Sequence, residues 1–151
     1  MSVSVDPELV NDVRQSIYAT IVERGTPPAA CEVAAARGVS VAAVEEAYRA
    51  LAGSHVIVLA LETGEIWAAP PFAAPPTAFR VTSGRRAWFA PCAWDSFGIP
   101  AAAGVDVEIE AHCAWDRAPL PCGVRNGDVY GEGVLHLLVP ASRFWDDISF
   151  T

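Results

Sequence analysis

The stretch Val105-Asp106-Val107-Glu108-Ile109-Glu110-Ala111 places apolar side chains at every odd position and an acid at every even one. Successive side chains of an extended chain point to opposite faces, so this run reads as a strand with one buried and one wet face. A strand wetted on one side belongs to an antiparallel sheet, because all-parallel sheets are covered on both faces. Upstream, residues 77–82 and 86–90 flank the Ser83-Gly84 turn and read as a hairpin. Downstream, Asn126-Gly127 marks another turn. The apolar run 134–139 is expected to be the last strand, with His136 inside it as a sheet residue. Ser142 then opens a short helical turn carrying Phe144, Trp145, Asp146, Asp147 and Ile148.

Ahead of residue 77 the period changes. Asp6 caps a helix that holds Pro7 in its first turn and stops at Gly25, with Leu9, Val13, Ile17 and Ile21 recurring at helical spacing. Thr26-Pro27-Pro28 is expected to open a second helix that ends at Arg37 before Gly38. Cys31, set among alanines in that helix, is expected in the core. Ser40 caps a third helix that presents Val44, Ala47, Tyr48 and Leu51 on one side and ends at Gly53. Residues 55–61 and 66–69 flank a Thr63-Gly64 turn as a second hairpin. Three helices and a hairpin are the layout of a winged helix-turn-helix. The segment PPFAAPP, residues 70–76, follows as a stiff extended connector. The expected fold is α+β: a winged-helix-like unit over 1–69, the connector, and a mainly antiparallel β core with short helices over 77–151.

Charge bears on what this layout does. Over residues 1–69 four arginines (14, 24, 37, 49) face nine acids, and the third helix, which would enter a DNA groove, carries Glu45 and Glu46. Phosphate neutralisation dominates DNA affinity, so the unit reads as a scaffold and nucleic acid is not an expected partner. The whole chain carries a formal charge of −8, against anionic membrane as well. No apolar run approaches the ~20 residues of a spanning helix, and the first residues lack a signal-peptide pattern. A cytoplasmic protein is the simplest reading, and in that compartment cysteines stay reduced. Cys31, Cys92, Cys113 and Cys122 include no C-x-x-C pair, which argues against a four-cysteine zinc site. Cys113 and Cys122 flank the proline-rich loop AWDRAPLP, residues 114–121, across which they could meet, and Cys122 is expected in that proline-flanked loop.

Cys92-Ala93-Trp94-Asp95, behind Pro91 and ahead of a short apolar helix, carries the chemistry. Positions three apart share a helix face, so a soft nucleophile and a proton carrier address one small ligand. A thiol in a first helical turn also feels the positive end of the helix dipole, which favours thiolate. None of His55, His112 and His136 is placed by sequence as a base for Cys92, which leaves a cysteine hydrolase without support. His112, beside Cys113, is the one histidine to check in space.

The order of these parts, with PCAWDSFGIPAA at 91–102 and a strand closing on EAHCA at 110–114, resembles the alkylmercury lyases (organomercurial lyases) over nearly the whole chain. The resemblance implies that Cys92 is the attacking, mercury-binding cysteine, Asp95 the catalytic acid and Cys113 a structural cysteine. It implies a reaction in which thiolates load electron density onto mercury, a soft ion, and the carboxyl protonates the departing carbon. No cofactor is needed; mercury enters as substrate. The family also uses a second reactive cysteine in its C-terminal part. SRFWDDISFT, residues 142–151, resembles the lead-in to it, and Thr151 follows without it. Two readings result: a lyase in which Cys113 or Cys122 serves as second metal ligand, or a non-catalytic thiol metal-binding or regulatory protein of the same fold. Phe144, Trp145, Ile148 and Phe150 crowd the last residues. The expectation is that the natural product continues and covers them, or that a homodimer does.

Overall fold

Asp6 accepts a hydrogen bond from the Glu8 N–H at 3.0 Å and starts α1 (Pro7–Arg24). The computed structural model describes residues 6–148, which leaves Phe150 outside the described residues. Val13, Ile17 and Ile21 form the buried face of α1. The second helix, α2 (Ala30–Arg37), begins later than expected. Thr26 and Pro27 each precede a proline, which disfavours helical backbone there. Arg24 closes the resulting turn: its guanidinium donates to the Pro27 carbonyl at 2.9 Å and to Glu32 at 2.8 Å, and Glu32 accepts from the Ala29 N–H at 2.7 Å. The buried residues of α2 are Val33 and Ala34. Cys31 lies off that face and is exposed, contrary to the core position expected for it. In α3 (Val41–Gly53), Ser40 caps the Ala43 N–H at 3.2 Å, and Val44, Ala47, Tyr48 and Leu51 are buried.

The remaining elements are eight strands that build one antiparallel sheet, one further helix between them, and a 3-10 turn at Ala141–Arg143. In chain order the strands and that helix are β1 (Val58–Leu59), β2 (Ile66–Ala69), β3 (Phe72–Ala73), β4 (Phe79–Ser83), β5 (Arg86–Ala90), α4 (Ala93–Ala103), β6 (Val107–His112), β7 (Pro119–Arg125) and β8 (Asp128–Tyr130). The spatial order is β1-β2-β3-β5-β4-β6-β7-β8. The fold is thus α+β with a mainly antiparallel core, as read from the sequence. Segment 70–76 does more than connect, since Phe72 and Ala73 are buried, both pair with β2, and Ala73 also pairs with β5. In β6 the alternation holds: Val107 and Ile109 are buried, Glu108 and Glu110 exposed. Val81 lies opposite Trp88 on one side and Ile109 on the other, and Ile109 lies opposite Cys122. Directly opposed residues share a face, so this row crosses four strands on one side of the sheet.

Two expectations fail here. Residues 134–139 form no strand, and His136 is exposed in an irregular segment. The sheet ends at β8, and Gly131 and Gly133 turn the chain away at φ of 122° and 148°. Cys122, expected in a proline-flanked loop, sits inside β7. Prolines are tolerated in that strand because β8 pairs only with Gly123–Arg125. Pro119 and Pro121 therefore lie where β7 has β6 alone as neighbour, and a missing N–H breaks no outer ladder there. Among the described residues, no helix is long and apolar enough to cross a membrane.

Trp88 ties the sheet to α1. Its ring is 1% exposed and its Nε1–H donates to the Ile21 carbonyl at 2.9 Å, the carbonyl that also accepts from the Gly25 N–H. Gly25 has φ +86°, and a Cβ there would lie 2.5 Å from the Ala87 carbonyl oxygen. A side chain is excluded both by conformation and by backbone contact. Gly25→Ala is expected to lower unfolding free energy by about 2 kcal/mol or more, read as a shifted midpoint in urea denaturation.

Candidate active site

The polypeptide leaves β5 at Ala90, turns at Pro91 and enters α4 with Cys92 as N-cap, its backbone extended at φ −144° and ψ 175°. Thr77 fixes the strand end by donating to the Ala90 carbonyl at 2.6 Å. The helix is held close to the 70–71 turn by Gly98, where an added Cβ would stand 3.0 Å from the Pro71 side chain. Tyr18 holds the other side of that turn, its hydroxyl in contact with the carbonyls of Pro70 at 3.1 Å and Val56 at 3.3 Å. Ser96, 1% exposed, donates to the Ala93 carbonyl at 2.6 Å and tightens the first turn.

Within that turn the Cys92 thiol donates to Asp95 Oδ2 at 3.2 Å. Both groups are half-buried and both titrate high. Burial pushes the Cys92 thiol up to about 11; the N–H groups of Asp95 and Trp94 pull it down, and the Asp95 charge pushes it up again. The sequence-based expectation of a dipole-favoured thiolate is corrected accordingly: the helix N-terminus acts in the expected direction, and desolvation outweighs it. Burial also raises the Asp95 carboxyl above its ordinary range, against the thiol hydrogen bond, which lowers it. The resting pair is a neutral thiol donating to a carboxyl that ionises late.

The pair opens into a cavity of about 360 Å³. Pro70, Pro91 and Trp94 form one side. The other is supplied by the segment beyond β8, through Leu137, Ala141, Phe144, Trp145 and Ile148. Cys92 and Asp95 are the polar members of this lining. Sequence reasoning did not assign the second wall; its one signal was the crowding of aromatic residues at 144–150.

The other thiols lie elsewhere, and all four cysteines are free. Cys122 is half-buried in β7, its thiol raised by burial and 3.9 Å from the Ile109 carbonyl. Cys113 follows β6 in the turn to β7, where its N–H donates to the Ala118 carbonyl at 2.8 Å. Cys122 pairs with Ile109, four positions before Cys113, so the two do not meet across the hairpin. Neither lines the cavity, and neither does any histidine, His112 included. Among the described residues, no three His, Cys, Asp or Glu side chains converge as a metal site.

The tetrapeptide itself occurs twice, as Cys92-Ala93-Trp94-Asp95 and as Cys113-Ala114-Trp115-Asp116. In the second copy Asp116 is exposed and accepts from the Ala118 N–H at 3.0 Å, which lowers its pKa. The same four residues thus give a carboxyl shifted down in an open turn and up beside a cavity. Context makes the site.

A family model described as MerB: Alkylmercury lyase matches residues 72–150, just over half of the chain. Among solved structures, "Crystal structure of the mercury-bound form of MerB2" is similar with a TM-score of 0.63 at 25% identity. The match covers 84% of this chain and 60% of that one, so the chain spans less than two thirds of the length of that relative. Among curated proteins, none matches.

Proposed function

This chain belongs to the alkylmercury lyase family, and we propose that Cys92 and Asp95 capture an organomercurial and protonate its carbon. The reading rests on one observation, a thiol 3.2 Å from a carboxyl at an apolar cavity. In the first step the Asp95 carboxylate takes the thiol proton while Cys92 Sγ displaces ligand X from R–Hg–X. The products are Cys92–S–Hg–R, X⁻ and a neutral Asp95. In the second step that carboxyl delivers its proton to the mercury-bound carbon. The electron pair of the Hg–C bond becomes the new C–H bond, R–H leaves, and mercury(II) stays on the Cys92 thiolate beside the Asp95 carboxylate. Softness favours sulfur as the mercury ligand; the apolar walls keep competing water away from the proton. No oxidation state changes, and no cofactor takes part.

That the cavity holds one sulfur among the described residues favours a second reading, capture without cleavage. Incubation with phenylmercury separates the two. Stoichiometric benzene in the headspace supports the lyase; a stable phenylmercury adduct on Cys92, seen by intact mass, supports the binding protein.

The pH profile tests the shared proton. With Cys92 held up at about 11, a free thiolate is scarce at neutral pH, so capture depends on Asp95 as base. Asp95 ionises above its ordinary value, and the carboxylate is the active form. Capture is therefore expected to fall as pH drops through that raised value. Asp95→Asn should erase this inflection and leave a rate that climbs only towards alkaline pH. Stopped-flow capture followed by mapping of the Cys92 adduct checks both.

A further inference from the structure

The wall opposite Cys92 comes from a segment outside the sheet, yet one of its side chains is clamped. Trp145 stacks face to face on His55, with ring centroids 4.3 Å apart and planes 7° apart. His55 is itself fixed just beyond α3, at φ +60°, with its N–H donating to the Ala52 carbonyl at 3.0 Å. The helical unit thereby holds an aromatic wall over a site built on the sheet and α4. The cavity, open on one side, has a volume of about 360 Å³. An apolar cavity of roughly 150 Å³ accommodates benzene, so this one takes an aryl ring together with the metal. A methyl group would leave most of it unfilled.

Resting on the mercurial-capture reading above, we infer that the cavity selects organomercurials by their hydrocarbon group, favouring aryl over methyl. Trp145 is the specificity-determining wall, and His55 is a positioning residue that acts through Trp145. Discrimination by an apolar pocket runs to about tenfold or more per missing methylene. A phenyl-to-methyl preference on the order of 10–100-fold is therefore expected at Cys92.

The test is competition between phenylmercury and methylmercury for the whole chain, with adducts at each cysteine counted by peptide mapping and, for Cys92, the benzene and methane released added to the respective adducts. Exposed Cys31 in the same molecule reports the intrinsic reactivity of the two reagents. The measured quantity is the phenyl-to-methyl ratio at Cys92 divided by that at Cys31. Wild type is expected to give a normalised ratio of ~10 or more. Trp145→Ala should bring it to within a few-fold of one, and His55→Ala should move it the same way. His55→Phe, which keeps a ring for stacking, should hold it near the wild-type value. That rescue distinguishes a positioning role from general destabilisation, and Trp145→Leu, which keeps apolar bulk but loses the ring and should lower the ratio likewise, stands in if Trp145→Ala fails to fold. A wild-type ratio near one, or a ratio unchanged by losing the Trp145 ring, overturns the inference while leaving capture intact. Absence at Cys92 of both an organomercurial adduct and the mercury(II) that cleavage leaves, with no hydrocarbon released, overturns the capture reading itself.

Discussion

Cys92→Ser is expected to abolish mercurial capture at the cavity, with a loss on the order of 10³-fold or more in rate and affinity. A hydroxyl is a hard donor and ionises far above a thiol, so it neither binds a soft metal nor attacks it. Among the described residues no second thiol is placed to compensate, because neither Cys113 nor Cys122 lines the cavity. The measurement is adduct mapping at equal protein and phenylmercury in the presence of a competing small thiol. Adducts at exposed Cys31 should persist in the variant and serve as the internal control. Undiminished, thiol-resistant binding by Cys92→Ser would move the metal site elsewhere in the chain.

The second large effect separates capture from cleavage. Asp95→Ala removes the proton carrier and keeps the sulfur. Release of R–H is expected to fall by about 10²–10⁴-fold, the range that a positioned general acid contributes. The adduct should still form, more slowly at neutral pH and almost normally in alkali. Accumulation of Cys92–S–Hg–R by intact mass, with little hydrocarbon in the headspace, is the expected pattern. Loss of the adduct to the extent seen with Cys92→Ser would make Asp95 a ligand or a structural cap instead. Stability gives an independent check on the same residue. A carboxyl whose pKa is raised by folding binds its proton more tightly in the native state, so raising pH through that value destabilises the fold. Asp95→Asn is therefore expected to unfold at a slightly higher temperature than wild type at neutral pH.

The helices and the central strands were legible because local chemistry and burial agree there. Asp6, Ser40, Gly25 and Gly38 punctuate helices whose apolar residues do form the core, and 105–111 alternates as β6 does. Two segments misled for a shared reason: strand formation depends on neighbours that local sequence does not report. Pro119 and Pro121 look like loop residues, yet β7 accepts them because β8 stops short of them. Residues 134–139 look like a strand, yet they lie beyond β8, where Leu137 lines the cavity instead. The candidate pair was legible as a spacing, Cys-x-x-Asp at a helix start. Its character was not, since the identical tetrapeptide at 113–116 has its carboxyl shifted the other way. The cavity walls beside the pair include Pro70, Leu137 and Trp145, all distant in sequence. The stack of His55 on Trp145 joins residues ninety positions apart and left no local signature.

Strands β5 and β6 both run antiparallel to β4 and flank it, so they are parallel to each other and α4 is the crossover between them. Ala90 makes the last pairing of β5, opposite Phe79. Cys92 and Asp95 therefore belong to a piece of chain that has already left the ladder, and their side chains hold no rung of it. Loss of reactivity and loss of the folded state become separable events at this place. A lineage can exchange the thiol and the carboxyl for another reactive pair without renegotiating strand register, and the frame will present whatever chemistry replaces them to the same cavity.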